Sequence, residues 1–200
     1  SNASLAKINE MSSEFPGINT TSEPTIYYPY GELASHILGY VGPIGEDELK
    51  GNEEEYDQND IIGKTGIEQV FEKYLRGTDG IKQIDMSVDG IVTDEYIAEE
   101  AIAGNDIMLT IDAELQKITE DALAHNIEMM QNGELSGATT ASEGAAVVLN
   151  VKTGEVLAMA SYPNYNPSLF VDGISTENWN NYLNDSRHPL INKAVSSISP

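Results

Sequence analysis

Two apolar runs near the C-terminal end of the sequence constrain its fold most strongly. They are Ala145–Val151 and Val156–Ser161, and the four residues Lys152-Thr153-Gly154-Glu155 separate them. Apolar runs of this length on either side of a glycine-containing turn are typical of a β-hairpin. Because neither run alternates apolar with polar residues, we predict that both strands are central and covered on both faces.

Helical patterns surround this hairpin. Thr65 and Glu68 have the spacing of a capping box, and apolar residues follow at helical intervals up to Arg76. We therefore predict a helix here that ends in a left-handed Gly77. Asp112 precedes a longer helical pattern and is expected to cap it.

The remaining segments complete a mixed arrangement. Short helices are expected at 33–40 and around Trp179, the longer helix is expected to end at Gly133, and alternating residues at 81–97 predict two strands with a turn at Asp89-Gly90. No regular β-α-β repeat is visible. The predicted class is α+β, with a domain boundary near Gly104.

The charge of the sequence excludes several functions. It contains 33 acidic and 10 basic residues, a formal net charge of −23, and no cysteine. Such a chain is repelled by nucleic-acid phosphates, and disulfides and thiolate metal sites are excluded. The sequence has no apolar run of the ~18 residues that a membrane span needs. Ser1-Asn2-Ala3 has the form of a cloning scar, so we expect that a native anchor preceded it.

Several blocks of the sequence, in order, resemble class B penicillin-binding proteins. Two resemble segments of the region that precedes the catalytic domain, and three resemble the start of the transpeptidase domain. The blocks are Tyr28–Gly42, Gly63–Glu68 with Tyr74–Gly80, Leu109–Gln116, Ala146–Ala160 and Tyr162–Pro167. Phe170–Ser175 favours the cell-elongation branch over the division branch.

This resemblance implies a domain organisation. Residues 1–3 are the scar, residues 4–105 are expected to form the pedestal, or dimerisation domain, and residues 106–200 the incomplete N-terminal portion of a serine-β-lactamase-like transpeptidase domain. The pedestal is expected to lack its first strand.

The resemblance also implies an activity. Members of the family cross-link peptidoglycan by serine acyl transfer from D-alanyl-D-alanine stem peptides, with a Ser-x-x-Lys nucleophile. Asn192-Lys193-Ala194 stands where the family usually has Asn-Arg-Ala, just before that motif. The nucleophile is therefore expected beyond Pro200. We predict that this fragment is inactive and has no catalytic, cofactor-binding or metal-binding residue.

Three motifs imitate this chemistry. Ser4-Leu-Ala-Lys7 has the Ser-x-x-Lys spacing but directly follows the scar, so we do not assign it a catalytic role. The triplets Lys64-Thr65-Gly66 and Lys152-Thr153-Gly154 match the family's substrate-positioning motif, which lies well downstream of the nucleophile. We interpret the first as a helix start and the second as a hairpin turn.

Metal binding is not favoured by any pattern. His36, His125 and His188 lie far apart in the sequence and lack paired-ligand spacing. Asp57-Gln58-Asn59-Asp60 resembles the start of a calcium loop but lacks the glycine and glutamate that complete one. Asp112 is explained by helix capping.

The resemblance implies partners for the parent protein: stem peptides, β-lactams and a membrane-embedded glycan polymerase. The charge of the chain predicts that nucleic acid is not among them. It also implies attachment to the extracytoplasmic face of the cell membrane and a role in cell shape. We expect the fragment to be soluble and to dimerise through exposed strand edges. The alternative is a free-standing acidic extracellular binding module of the cell envelope.

Overall fold

The structure, a computed structural model, describes Lys7 and residues 25–88, 92–135 and 140–196. The chain divides into two compact units. The first comprises Ser1–Ile26 and Gly77–Gly104, and the second comprises Tyr27–Arg76 and Asn105–Pro200. The division between pedestal and transpeptidase portions near residue 105 stays a prediction.

The predicted hairpin forms the centre of the second unit. Strands β5 (Gly144–Leu149) and β6 (Val156–Tyr162) pair antiparallel, with Gly144 opposite Tyr162. Ala158 and Ala160 of β6 are fully buried. The prediction that both strands are covered on both faces is wrong for β5, because alternate residues of that strand are exposed.

Several helical segments accompany these strands in the second unit. Their bounds are Ser35–Leu38 (α1), Glu46–Leu49 (α2), Gly66–Val70 (α3), Glu72–Leu75 (α4), Ala113–Gln131 (α5), Thr176–Asn184 (α6) and Lys193–Ser196 (α7), with a 3-10 turn at Pro167–Leu169. Strands β1 (Val41–Pro43) and β2 (Ile61–Gly63) form a short antiparallel pair. The described residues therefore confirm an α+β fold.

The long helix α5 begins and ends as predicted. Asp112 is its N-cap, and the carboxylate accepts a hydrogen bond of 2.9 Å from the amide of Leu115. Gly133, just beyond its C-terminal end, has a φ of +72°, which is the left-handed conformation that glycine adopts readily. The helix packs on β6 and buries Gln116 and Ile127.

The single helix predicted over 65–76 is wrong in three details. It is broken at Phe71 into α3 and α4. Thr65 makes no capping hydrogen bond, because Gly66 has a left-handed φ of +62° where a regular first turn would begin. Gly77 is not in the left-handed region. A Cβ there would lie 2.2 Å from the carbonyl oxygen of Ile102, so close backbone approach explains this glycine.

The first unit contains a β-hairpin. Strands β3 (Ile81–Met86) and β4 (Val92–Glu99) pair antiparallel, and every residue of both is exposed. The strands are confirmed, while the predicted turn at Asp89-Gly90 lies outside the described residues. Across the described ranges, no helix combines the length and the apolar character needed to span a membrane.

Candidate functional site: the anchored segment 189–194

Strand β6 holds the segment 189–194 through one buried hydroxyl. The Ser161 Oγ accepts a hydrogen bond of 3.0 Å from the backbone amide of Lys193 and lies 3.3 Å from the carbonyl oxygen of Ile191, to which it donates. Ser161 is only 5% exposed, so water does not compete freely for these bonds. The hydroxyl therefore fixes both sides of Asn192 against the central hairpin.

Helix α1 holds the same segment from a second direction. The Nε2 atom of His36 lies 2.7 Å from the carbonyl oxygen of Pro189, and the Asn192 side-chain amide donates to the carbonyl oxygen of His36 at 3.1 Å. Since a carbonyl oxygen can only accept, Nε2 of His36 must carry the proton. Burial lowers the pKa of His36 to about 4, so the ring is neutral at pH 7.

Asn192 links these contacts to the start of helix α7. Its Oδ1 atom accepts from the backbone amide of Ala194 at 3.1 Å, which is the geometry of a helix N-cap. One side chain thus begins α7 and ties it to α1. This asparagine belongs to the Asn192-Lys193-Ala194 block, which is predicted to precede the nucleophile directly.

The Lys193 side chain turns away from Ser161. Its Nζ donates to the carbonyl oxygen of His188 at 3.0 Å and lies 3.6 Å from a carboxylate oxygen of Glu143. Burial lowers the pKa of this amine, while the charge of Glu143 opposes the shift. The only bond between Lys193 and Ser161 in these contacts comes from the lysine backbone. The pair therefore does not reproduce a nucleophile with its amine base.

A cluster of aromatic rings supports α1 beneath the segment. The ring of Tyr165 meets His36 edge-on at 5.0 Å, and its hydroxyl donates to the carbonyl oxygen of Ser35 at 2.9 Å. Burial raises the pKa of Tyr165 to about 12. Tyr165 follows β6 in sequence, so this contact fixes α1 relative to the central hairpin.

Two polar residues of α5 complete the support, and sequence reasoning missed both. The Gln116 side chain bonds both backbone groups of Met159 in β6, at 2.7 and 2.9 Å. Glu120 accepts from Gln116 and from the backbone amide of Ala34, directly before α1. Their only sequence signal is a pair of polar residues one helical turn apart, which also describes an exposed helix face.

The structure places the remaining candidate residues apart from one another. Ser4 lies outside the described residues. Lys64-Thr65-Gly66 joins β2 to α3, where a Cβ on Gly66 would lie 2.6 Å from the carbonyl oxygen of Ile37, and Lys152-Thr153-Gly154 forms the turn between β5 and β6. These placements agree with the structural roles expected, and the absence of catalytic residues stays a prediction.

The acidic residues and histidines that were considered as metal ligands make other contacts or are exposed to solvent. Asp60 bonds the backbone amide of Asp57 and forms an ion pair of 2.8 Å with Arg76. His125 is exposed on α5, and the exposed His188 precedes the anchored segment. No cluster of three or more His, Cys, Asp or Glu side chains suited to a metal ion occurs in the parts of the chain that the structure describes.

Several curated relatives from different organisms carry the same name. Peptidoglycan D,D-transpeptidase MrdA of Acinetobacter baumannii is 32% identical over 197 residues, covering 98% of this chain and 27% of that protein. The protein of the same name from Escherichia coli K12 is 35% identical over 191 residues, covering 93% and 28%. The chain thus spans about a quarter of the length of these relatives.

Solved structures resemble the fold as well. A chain in a structure titled for the coordination of polymerization and crosslinking by a peptidoglycan synthase complex is 30% identical, with a TM-score of 0.79 over 97% of this chain and 33% of that one. The complex between PBP2 and MreC from Helicobacter pylori gives 31% identity and a TM-score of 0.69, over 96% of this chain and 32% of that one.

Family models match both parts of the sequence. The penicillin-binding protein dimerisation domain matches residues 1–109, and the penicillin binding protein transpeptidase domain matches residues 144–198. These matches confirm the resemblance and the composite fold. The chain belongs to the penicillin-binding proteins and joins sequence of their dimerisation domain to a part of their transpeptidase domain.

Proposed function

We propose that the parent protein is a peptidoglycan D,D-transpeptidase and that this chain positions its nucleophile without supplying it. The names of the relatives support the reaction class. The observation that carries the positioning role is the double anchoring of segment 189–194, by Ser161 of β6 and by His36 of α1. By its resemblance to the family, the parent is expected to carry a Ser-x-x-Lys motif soon after this segment.

The chemistry explains why such anchoring is useful. The serine oxygen must attack the carbonyl carbon of the D-alanyl-D-alanine amide while the lysine amine receives the serine proton. Both groups must lie within hydrogen-bond reach, and an error of about 1 Å in such an arrangement can cost on the order of 100-fold in rate. A helix start capped by Asn192 and tied to two elements limits that error.

We further propose an elongation-branch parent that is anchored in the cell membrane, exposed on its extracytoplasmic face and paired with a membrane-embedded glycan polymerase. Several relatives named MrdA support the branch. One similar chain comes from a peptidoglycan synthase complex and another from a complex of PBP2 with MreC, which supports partner binding in general. The β3–β4 hairpin is exposed along both strands and could contribute to such contacts.

Labelling with a fluorescent penicillin tests this proposal. Penicillin acylates the nucleophilic serine of this reaction class, so we expect covalent labelling of the full-length parent and none of the 200-residue chain. Boiled parent protein controls for non-specific attachment. A covalent adduct on the 200-residue chain would show that it carries a nucleophile. An unlabelled, folded parent would contradict the transpeptidase assignment.

A further inference from the structure

A cavity of about 380 Å³ lies beside the aromatic cluster and takes no part in the positioning role. It is lined by residues of β1 and by Lys64, and by residues between Phe170 and Trp179. Six of its lining residues define its chemistry: Tyr40, Pro43, Lys64, Phe170, Thr176 and Trp179. Small-molecule sites in proteins are commonly concave, aromatic and of this size.

The aromatic lining is held rigidly. Phe170 is 3% exposed and stacks on Tyr40 with ring centroids 4.0 Å apart. The ring of Tyr182 also lies nearly parallel to that of Phe170, at 13°, with ring centroids 6.1 Å apart. Tyr40 and Trp179 are only half-buried, so they keep aromatic surface open to the cavity. Fixed rings of this kind bind flat apolar faces with little loss of entropy on binding.

Polar groups occur in the lining as well. The Lys64 amine forms an ion pair with Glu48, and the Glu48 carboxylate also accepts a hydrogen bond of 2.7 Å from the amide of Gly45. The hydrogen bond from Lys64 lowers the pKa of Glu48, which keeps the carboxylate ionised. A lysine amine has three donors, so it can bond a ligand oxygen while staying paired. Thr176 adds a hydroxyl.

The electrostatic surroundings select against anions. Glu46 and Asp47 precede Glu48 on α2, and Asp172 and Glu177 flank the other wall. The chain as a whole has a formal charge of −23. The negative charges around the cavity would repel a phosphate or a free carboxylate, and the charge of Lys64 would not offset this repulsion because Glu48 already neutralises it. The cavity therefore suits a neutral ligand with apolar faces and hydroxyl or amide edges.

A pyranose ring has this chemistry, with C–H groups on its faces and oxygens at its rim. We propose that the cavity binds a neutral N-acetylated saccharide unit of a glycan strand. This inference rests on the proposed function, because a peptidoglycan transpeptidase acts on peptides that are attached to such strands. The site would bind the strand itself, separately from the peptide that reacts.

Trp179 makes the proposal directly measurable. It is the only tryptophan in the sequence, and it lines the cavity, so intrinsic tryptophan fluorescence reports on this site alone. The titration uses the 200-residue chain and the β-1,4-linked tetramer of N-acetylglucosamine. We expect a saturable change in emission, with a Kd on the order of 1 mM, typical of a small contact area.

Matched proline variants provide the control. Pro43 and Pro29 are both exposed, but only Pro43 lines the cavity. Pro43→Arg places a bulky side chain at the cavity without altering the stacked rings, and we expect it to weaken binding at least tenfold. Pro29→Arg should bind as the unaltered chain does. Thermal unfolding of both variants verifies that they are folded.

Three results would overturn the inference. The first is no saturable emission change in a chain that unfolds cooperatively. The second is equal affinity for the unacetylated glucose tetramer, which would remove the N-acetyl specificity. The third is saturable binding of N-acetyl-phenylalaninamide without binding of the saccharide, which would assign the cavity to a peptide partner. Penicillin labelling of the parent is independent of this titration, so failure of the saccharide site and failure of the proposed function give different results.

Discussion

The side chain of Gln116 serves strand β6 as a neighbouring strand would. Its Oε1 atom accepts from the backbone amide of Met159 at 2.7 Å, and its Nε2 atom donates to the carbonyl oxygen of the same residue at 2.9 Å. Gln116 is completely buried, so both backbone groups would lack a partner without it. A helix residue thereby satisfies both backbone groups of Met159 and holds α5 against β6, the strand that also anchors segment 189–194 through Ser161.

Replacing Gln116 with leucine should therefore be strongly destabilising. The variant would leave the amide and carbonyl groups of Met159 without their Gln116 partner, and we expect a loss of about 3 kcal/mol in the free energy of unfolding. Urea unfolding measures this loss. The control is Gln131→Leu at the exposed end of α5, where one hydrogen bond to Ala141 is removed. Equal losses in the two variants would contradict the role given to Gln116.

His36 should make stability depend on pH. Its pKa is lowered by burial to about 4 in the folded chain, against a value of about 6.5 in the unfolded chain. The unfolded chain therefore binds more protons between these values, and the stabilisation is complete above pH 6.5 and lost as the pH falls towards 4. The nearby charge of Lys193 lowers the pKa in the same direction.

The measurement is the difference in free energy of unfolding between the chain and its His36→Gln variant. This comparison cancels the contributions of other titrating groups, including Glu68 and Glu120, whose pKa values are raised by burial. We expect the difference to fall by at most about 3 kcal/mol between pH 7 and pH 4. A difference that does not change with pH would show that His36 is not held neutral.

Removing the Tyr165 hydroxyl should show how much its hydrogen bond contributes to stability apart from the packing of its ring. Tyr165→Phe keeps the ring against His36 but loses the bond to the Ser35 carbonyl, and we expect a cost of about 1 kcal/mol. Tyr27→Phe is the matched control, because Tyr27 is 77% exposed. Chemical denaturation of both variants makes the comparison, and an effect no larger than that of the control would contradict a stabilising bond.

Loss of the Asp112 helix cap should lower the free energy of unfolding by an amount typical of N-cap residues. Asp112→Ala removes the acceptor for the Leu115 amide, which should cost about 1 kcal/mol. Asp121→Ala removes an exposed ion pair with Lys117 on the same helix and should cost a few tenths of a kcal/mol. Thermal unfolding with calorimetry gives both values. The capping assignment is wrong if the two variants unfold at the same temperature.

Local patterns allowed part of this structure to be predicted from the sequence. The Asp112 cap, the end of α5 and the hairpin of β5 and β6 depend on residues close together in the chain. Residue spacing did not predict the break at Phe71. It also did not predict the close backbone approach at Gly66, because the neighbouring group is the carbonyl oxygen of Ile37 in helix α1, which is distant in the sequence.

The anchoring itself was beyond sequence reasoning. His36 and Pro189 are 153 residues apart, and Gln116 and Met159 are 43 apart. Nothing local distinguishes a histidine that holds a carbonyl from one on a surface. The resemblance nevertheless predicts that the nucleophile follows Asn192 closely, and this prediction gives the contacts of Asn192 a functional interpretation.

The positioning role is tested most directly by the acylation kinetics of the full-length parent. Asn192→Ala removes the helix cap at Ala194 and the bond to His36, while Asn126→Ala alters an exposed asparagine of α5. Both variants would be verified as folded by thermal unfolding before stopped-flow labelling with a fluorescent penicillin. We predict that Asn192→Ala slows acylation on the order of 10- to 100-fold, whereas Asn126→Ala leaves it unchanged. An unchanged acylation rate in a folded Asn192→Ala parent would contradict the account.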